Sequence, residues 1–190
     1  MPNTKRLFFA AHIDIPAIFK GLLPELKQQL AHERITWTKE GQTHITLRFL
    51  GDTHVNHIPR LEKAFSDAVS RGNAFRVSIE KVKMFGSRYR PTVIWIGAED
   101  NGEMKYMFTE VRNELEKAGL PGDRQNFVPH LTVGRIKELT DLNHFQNVMK
   151  QYVEYQAGSF FVKELILYES RLEKTGAVHI PQRTFALNPM

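Results

Sequence analysis

The sequence predicts an α+β protein built as two similar lobes, each giving one strand to a central groove. Three observations predict it. Strand-like apolar or alternating runs alternate with amphipathic helical runs along all 190 residues. The first half reads strand–helix–strand–helix–strand, and the second half can be read the same way. Two of the strands, one in each half, carry the same pattern: His44-Ile45-Thr46-Leu47 ahead of Gly51, and His130-Leu131-Thr132-Val133 ahead of Gly134. This length suits a single domain, and residues 1–190 are read as one domain made of two lobes.

Leu7-Phe8-Phe9-Ala10-Ala11-His12-Ile13 is short, apolar and aromatic, as a buried strand is. Pro16 opens a helical stretch in which Ile18, Leu22, Leu26 and Leu30 share one side. Gly21 and Pro24 interrupt it, which predicts two pieces. Ile35-Thr36-Trp37-Thr38 is a short strand before a turn at Glu40-Gly41. The first motif strand follows over 43–50, stopped by Gly51-Asp52.

His57 to Ser70 is an amphipathic helix with Pro59 in its first turn. Residues 75–82 alternate as a half-exposed strand, Gly86-Ser87-Arg88-Tyr89-Arg90-Pro91 is a polar loop, and 92–97 is another strand. A long helix runs from Gly102 to Gly119. A turn at Pro121-Gly122-Asp123-Arg124 leads to the second motif strand, 127–135. A helix from about Leu139 to Tyr152 follows, then strands over 158–162, 165–168, 177–180 and 184–187.

Composition narrows the chemistry. With 0 cysteines there is no disulfide, thiol nucleophile or Cys-ligated zinc. A cytoplasmic location is expected, with no secretory leader at the N-terminus and no apolar run long enough to span a membrane. The net charge of +5 permits an anionic partner such as RNA.

Successive strand side chains point to opposite faces. His44 and Thr46 therefore share one face, with Ile45 and Leu47 on the core side. His130 and Thr132 share a face in the same way, with Leu131 and Val133 behind them. One His-x-Thr arises often by chance; two in the same strand context do not. Histidine can take or give a proton near neutral pH, and a threonine hydroxyl can donate to a phosphate oxygen. Two imidazoles on opposite sides of a phosphorus can carry an in-line displacement without a metal.

These residues are similar to the paired motifs of the two-histidine (2H) phosphoesterases. Within them the chain resembles the RNA 2′,3′-cyclic phosphodiesterase branch, also called 2′-5′ RNA ligase-like. Arg6-Leu7-Phe8-Phe9-Ala10 and Leu165-Ile166-Leu167-Tyr168-Glu169-Ser170 share the resemblance. It implies a bilobal fold of antiparallel sheet with helices packed outside, and hydrolysis of a terminal 2′,3′-cyclic phosphate to a 2′-phosphomonoester. It implies that His44 is the proton donor, His130 the proton acceptor, and Thr46 and Thr132 the phosphate-binding hydroxyls; the residues themselves leave the two histidine roles interchangeable. No cofactor and no metal are expected. The partners are RNA ends or small cyclic nucleotides, and the chain is expected to act as a monomer. One departure is Val178-His179-Ile180, where the resemblance would put a tyrosine. It is expected to lie away from the motifs, at the substrate edge.

Further candidates for RNA contact are Arg48, by its shared parity with His44; Arg88, Tyr89 and Arg90 in their polar loop; and one of Phe8 and Phe9, as a base-stacking ring, with core packing the default for either. Arg135 has the opposite parity from His130 and is expected in a structural ion pair. His54 and His57 are spaced like half a metal site, without a third ligand pattern. Two other functions stay open: 2′-5′ RNA ligation, the same chemistry reversed, and a non-catalytic RNA-end binding module.

Overall fold

The computed structural model describes residues 3–120, 126–173 and 176–190; the turn expected at Pro121-Gly122-Asp123-Arg124 lies outside them. In chain order the elements are β1 (Thr4–His12), a π-helical turn (Ile18–Leu22) running into α1 (Leu23–Gln29), β2 (Arg34–Trp37) and β3 (His44–His54). A 3-10 turn (Val55–His57) opens α2 (Ile58–Val69), followed by β4 (Phe75–Ser87), β5 (Arg90–Glu99) and α3 (Glu103–Lys117). The chain closes with β6 (His130–Glu138), α4 (Leu142–Lys150), β7 (Gln156–Val162), β8 (Glu164–Glu173) and β9 (Gly176–Ala186). No helix among the described residues is long and apolar enough to cross a membrane.

Nine described strands form one antiparallel sheet in the order β7-β4-β5-β6-β3-β1-β8-β9, with β2 added on β6. The order falls into two groups of four, β7-β4-β5-β6 and β3-β1-β8-β9. They meet through the single residue pair Ile45–Leu131 of β3 and β6. Beyond that pair β6 turns its later residues to β2, from Trp37 opposite Gly134 to Arg34 opposite Glu138. The groove is thus the seam where two motif strands part. The lobes are not the two halves of the sequence: β4 joins the later strands, and β8 joins β1.

Several boundaries differ from the expected ones for local reasons. The break at Gly21 and Pro24 is instead a π turn: Leu23 N–H donates to Ile18 O and Leu22 and Leu23 stay right-handed helical, so the missing N–H of Pro24 is absorbed. Neither Gly51 nor Gly134 ends its strand. Gly51 sits at φ +68, a left-handed residue inside β3. At Gly134 a Cβ would stand 3.0 Å from Ile35 Cγ2 and from Trp37 Cε3, so glycine lets β2 pack onto β6. The polar loop over 86–91 is a tight hairpin, with only Arg88 and Tyr89 between β4 and β5. The two tail strands are one, β9, which tolerates Pro181 because it is an edge strand. The helix expected from Leu139 starts at Leu142, where the Asp141 carboxylate accepts from His144 N–H at 2.9 Å.

The helices cover one face of the sheet. Phe9 stacks on Phe65 of α2 with centroids 4.1 Å apart, both rings fully buried. Arg71, just past α2, bonds Glu110 and Glu114 of α3. Over the other lobe, Gln29 at the end of α1 donates to Tyr152 Oη, and His144 of α4 bonds Gln29 O. On the opposite face Phe8, Ala10, Ile166 and Tyr168 form a small separate cluster, the groove floor beside β3. Phe9 is therefore a core residue and no base-stacking ring. Phe9→Ala is expected to cost about 3–5 kcal/mol in denaturant unfolding. A loss below about 1 kcal/mol would place the ring outside the core.

Candidate active site

A bulge in each motif strand decides which side chains enter the groove. Along β3, Thr46 pairs with Ala10 and Arg48 with Phe9, leaving Leu47 as the extra residue. Along β6, Thr132 pairs with Trp95 and Gly134 with Ile94, leaving Val133 extra. Each bulge falls one residue after the motif threonine and reverses the alternation beyond it. Arg48 is consequently turned inward, only 8% exposed, where Glu116 of α3 is the charge acting on it. It is not on the face of His44 and Thr46, contrary to simple parity. Arg135 makes the opposite move. Expected in a structural ion pair, it lines the groove beside His44 and Thr132.

The single antiparallel pair Ile45–Leu131 places His44 on the Thr132 side of the contact and Thr46 on the His130 side. Directly opposed residues lie about 5 Å apart at Cβ, and diagonal ones about 7–8 Å. The two imidazoles are the diagonal pair about that contact; of the four motif side chains, His44 and Thr132 line the groove cavity, and His130 and Thr46 are not part of its lining. Both rings are held alike. His44 Nδ1 donates to Gln42 O at 2.8 Å, and His130 Nδ1 donates to Val128 O at 2.7 Å. A carbonyl can only accept, so each Nδ1 carries a proton and each Nε2 is left as the basic atom. In both cases the acceptor is the carbonyl two residues upstream. Each ring also leans on aromatics: His44 on Phe8 at 4.8 Å between centroids, His130 on Phe85 at 4.8 Å and on Trp95 at 5.6 Å.

Burial pushes the His44 imidazole down to about 4; the Gln42 carbonyl opposes this, while His179, Arg135 and His12 add to it. Burial also holds His130 below its ordinary value, with Val128 O opposing and Arg135 adding. Both rings are thus neutral near pH 7 in the free protein. The unfolded chain binds the His44 proton more readily than the folded one, so stability falls as pH drops from about 6.5 toward 4. The loss assigned to His44 is on the order of 3 kcal/mol over that window. Denaturant unfolding at neutral and acid pH is expected to show a correspondingly smaller acid loss in His44→Gln than in wild type. Equal losses would mean that the ring is not desolvated.

A cavity of about 120 Å³ opens beside His44, bounded by Trp37, Lys39, Thr132, Arg135 and His179. His179 therefore does not lie away from the motifs. Its ring stands edge-on to His44 at 5.0 Å and to Phe8 at 4.8 Å. Nothing in Val178-His179-Ile180 marked this, because β9 reaches the groove only by pairing with β8, itself paired to β1. Arg88 and Tyr89 form the tip of the β4–β5 hairpin, with the Arg88 guanidinium 5.1 Å from the Tyr89 ring centre. Tyr89 and Arg90 are exposed, and Gln146 of α4 donates to Arg88 O, tying the tip down. His54 and His57 face each other at 6.0 Å. Among the described residues no cluster of three or more His, Asp or Glu side chains could hold a metal.

The family model of the 2′-5′ RNA ligase superfamily matches residues 23–173. The chain belongs to that superfamily. Among its superfamily relatives, the RNA 2′,3′-cyclic phosphodiesterase of Archaeoglobus fulgidus is 29% identical over 180 residues, covering 95% of this chain and 99% of the relative. The protein of the same name from Thermotoga maritima is 27% identical, covering 92% of this chain and 91% of the relative. In structure, the chain is similar to TT0787 of Thermus thermophilus, with a TM-score of 0.77 at 23% identity over 97% of this chain and 98% of that one. It is also similar to E. coli LigT complexed with 3′-AMP, with a TM-score of 0.70 at 19% identity, covering 97% of this chain and 98% of that one. The antiparallel bilobal α+β architecture is the fold these structures share.

Proposed function

We propose that this superfamily member hydrolyses the terminal 2′,3′-cyclic phosphate of RNA to a 2′-phosphomonoester, small cyclic nucleotides serving as minimal substrates. His130 Nε2 takes a proton from water as its oxygen forms the new bond to phosphorus. His44 Nε2, protonated, gives its proton to the 3′-oxygen as the P–O3′ bond breaks. The Thr46 and Thr132 hydroxyls donate to the non-bridging oxygens, whose charge rises in the transition state. The observation that carries this reading is the mirrored pair of imidazoles, each pinned at Nδ1 by the carbonyl two residues upstream and each presenting a basic Nε2.

The low proton affinity of His44 in the free protein is no obstacle to a donor role. The cyclic phosphate brings one negative charge next to it, which favours the imidazolium and offsets Arg135. The positive groove and the names of the relatives support an RNA substrate. So does the hairpin tip at Arg88, Tyr89 and Arg90. Phe85, which touches His130, is three residues before Arg88, about 10 Å along a strand. One chain supplies both motif strands, so a monomer suffices, and a chain without cysteine is at home in the cytoplasm.

The test is an oligonucleotide ending in a 2′,3′-cyclic phosphate, incubated with and without EDTA, followed by analysis of the product end. A 2′-phosphomonoester formed equally in both is expected. A 3′-phosphomonoester, or arrest by EDTA, would contradict the proposal; binding without turnover would leave an RNA-end binding module. Adding a 5′-hydroxyl oligonucleotide reads the reverse direction, 2′-5′ ligation.

A further inference from the structure

The proposed chemistry uses two imidazoles, but the groove holds a third. His179 lines the same cavity as His44, Thr132 and Arg135 and touches the His44 ring edge-on at 5.0 Å. Its Nδ1 is buried and has no hydrogen-bond partner. A buried polar atom left unpaired costs stability unless a ligand satisfies it. An imidazole that serves only as packing against Phe8 would need no such nitrogen there.

We propose that His179, resting on the hydrolase reading above, is an anion-holding residue of the groove that takes up a proton when the doubly charged phosphomonoester product forms, and so retains that product. The substrate carries one negative charge and the product two at neutral pH. A site that must hold both gains from a cation that appears only with the second charge. His179 supplies it without a fixed charge that would also oppose protonation of His44 in the free enzyme.

The groups facing it are consistent with this. From β3 comes His44, with His12 of β1 beside it. Arg135 comes from β6 and Lys39 from the segment after β2; Tyr168 of β8, its phenol pushed up to about 12 by burial, stands 6.4 Å from the His44 ring. No carboxylate lines the cavity among the described residues, so nothing there competes with a bound anion for the cation. Burial and Arg135 keep His179 below its ordinary proton affinity in the free protein. An arriving dianion favours the charged form of the ring and so opposes both.

Calorimetric titration of the full chain with sulfate, a dianion throughout the range used, tests this without any turnover. Absence of hydrolysis would therefore sink the proposed function and leave this result readable. Binding is measured at about pH 5.5 and about pH 8 in wild type, His179→Gln and His179→Phe. Wild type is expected to gain about tenfold more affinity on acidification than either variant, the worth of one charge-assisted hydrogen bond. His179→Phe keeps the ring packing, so it carries the test if glutamine fails to fold. Equal gains in all the proteins, or no gain in wild type, would overturn the proposal.

Discussion

His44→Ala and His130→Ala are each expected to lower kcat on a cyclic-phosphate oligonucleotide by roughly 10²–10⁴-fold, the range for losing one general acid or base. Neither loss should come from unfolding. Both rings stand on the groove side, and the main core lies on the other face of the sheet. Far-UV circular dichroism and the midpoint of unfolding near pH 7 should stay close to wild type. The two effects should not multiply. Proton delivery and proton removal belong to one displacement, so once either is missing the other has little left to accelerate. The double variant is expected to be about as slow as the slower single variant. Near-wild-type turnover in either single variant would end the two-histidine assignment.

Thr46→Ala and Thr132→Ala are each expected to cost roughly 10- to 1,000-fold in kcat, as loss of a hydrogen-bond donor to a developing oxyanion does. In the proposed arrangement the two hydroxyls come from strands of different lobes, so the phosphate is held from both sides of the groove. The backbone of Thr132 is itself held, its carbonyl accepting from Thr38 Oγ1 at 2.8 Å. Because the bonds shorten as charge builds, kcat should fall more than substrate affinity. A change confined to KM would mean that the hydroxyls only bind. Thr→Ser should recover most of the rate, since it returns the oxygen and deletes only a methyl group.

Much of the fold was legible because the core face announces itself by period. Phe75, Val77 and Ile79 on β4, and Leu61, Phe65 and Ala68 on α2, stand where alternation and helical spacing put them. The sharing of a face by His44 and Thr46, and by His130 and Thr132, needed only parity. Parity failed at the next step in each strand, because a bulge is a property of the pairing between strands and Leu47 and Val133 carry no mark of it. That one extra residue per strand hid Arg48 and brought Arg135 forward. His179 was illegible for a related reason: its nearness to His44 is set by β9 on β8 on β1, a chain of neighbours that no local pattern encodes. Phe8 and Phe9 are adjacent, and only the pairing of β1 decides which faces the groove.

The most direct measurement is the pH dependence of single-turnover cleavage of a cyclic-phosphate oligonucleotide by wild type, His44→Gln and His130→Gln. The wild-type profile should be bell-shaped: its acid side reports a base that must be free, its alkaline side an acid that must be protonated. His130→Gln should lose the acid-side limb and His44→Gln the alkaline-side limb, each at a much lower rate. If both limbs persist in either variant, proton transfer runs through other groups and the paired imidazoles do not carry the reaction.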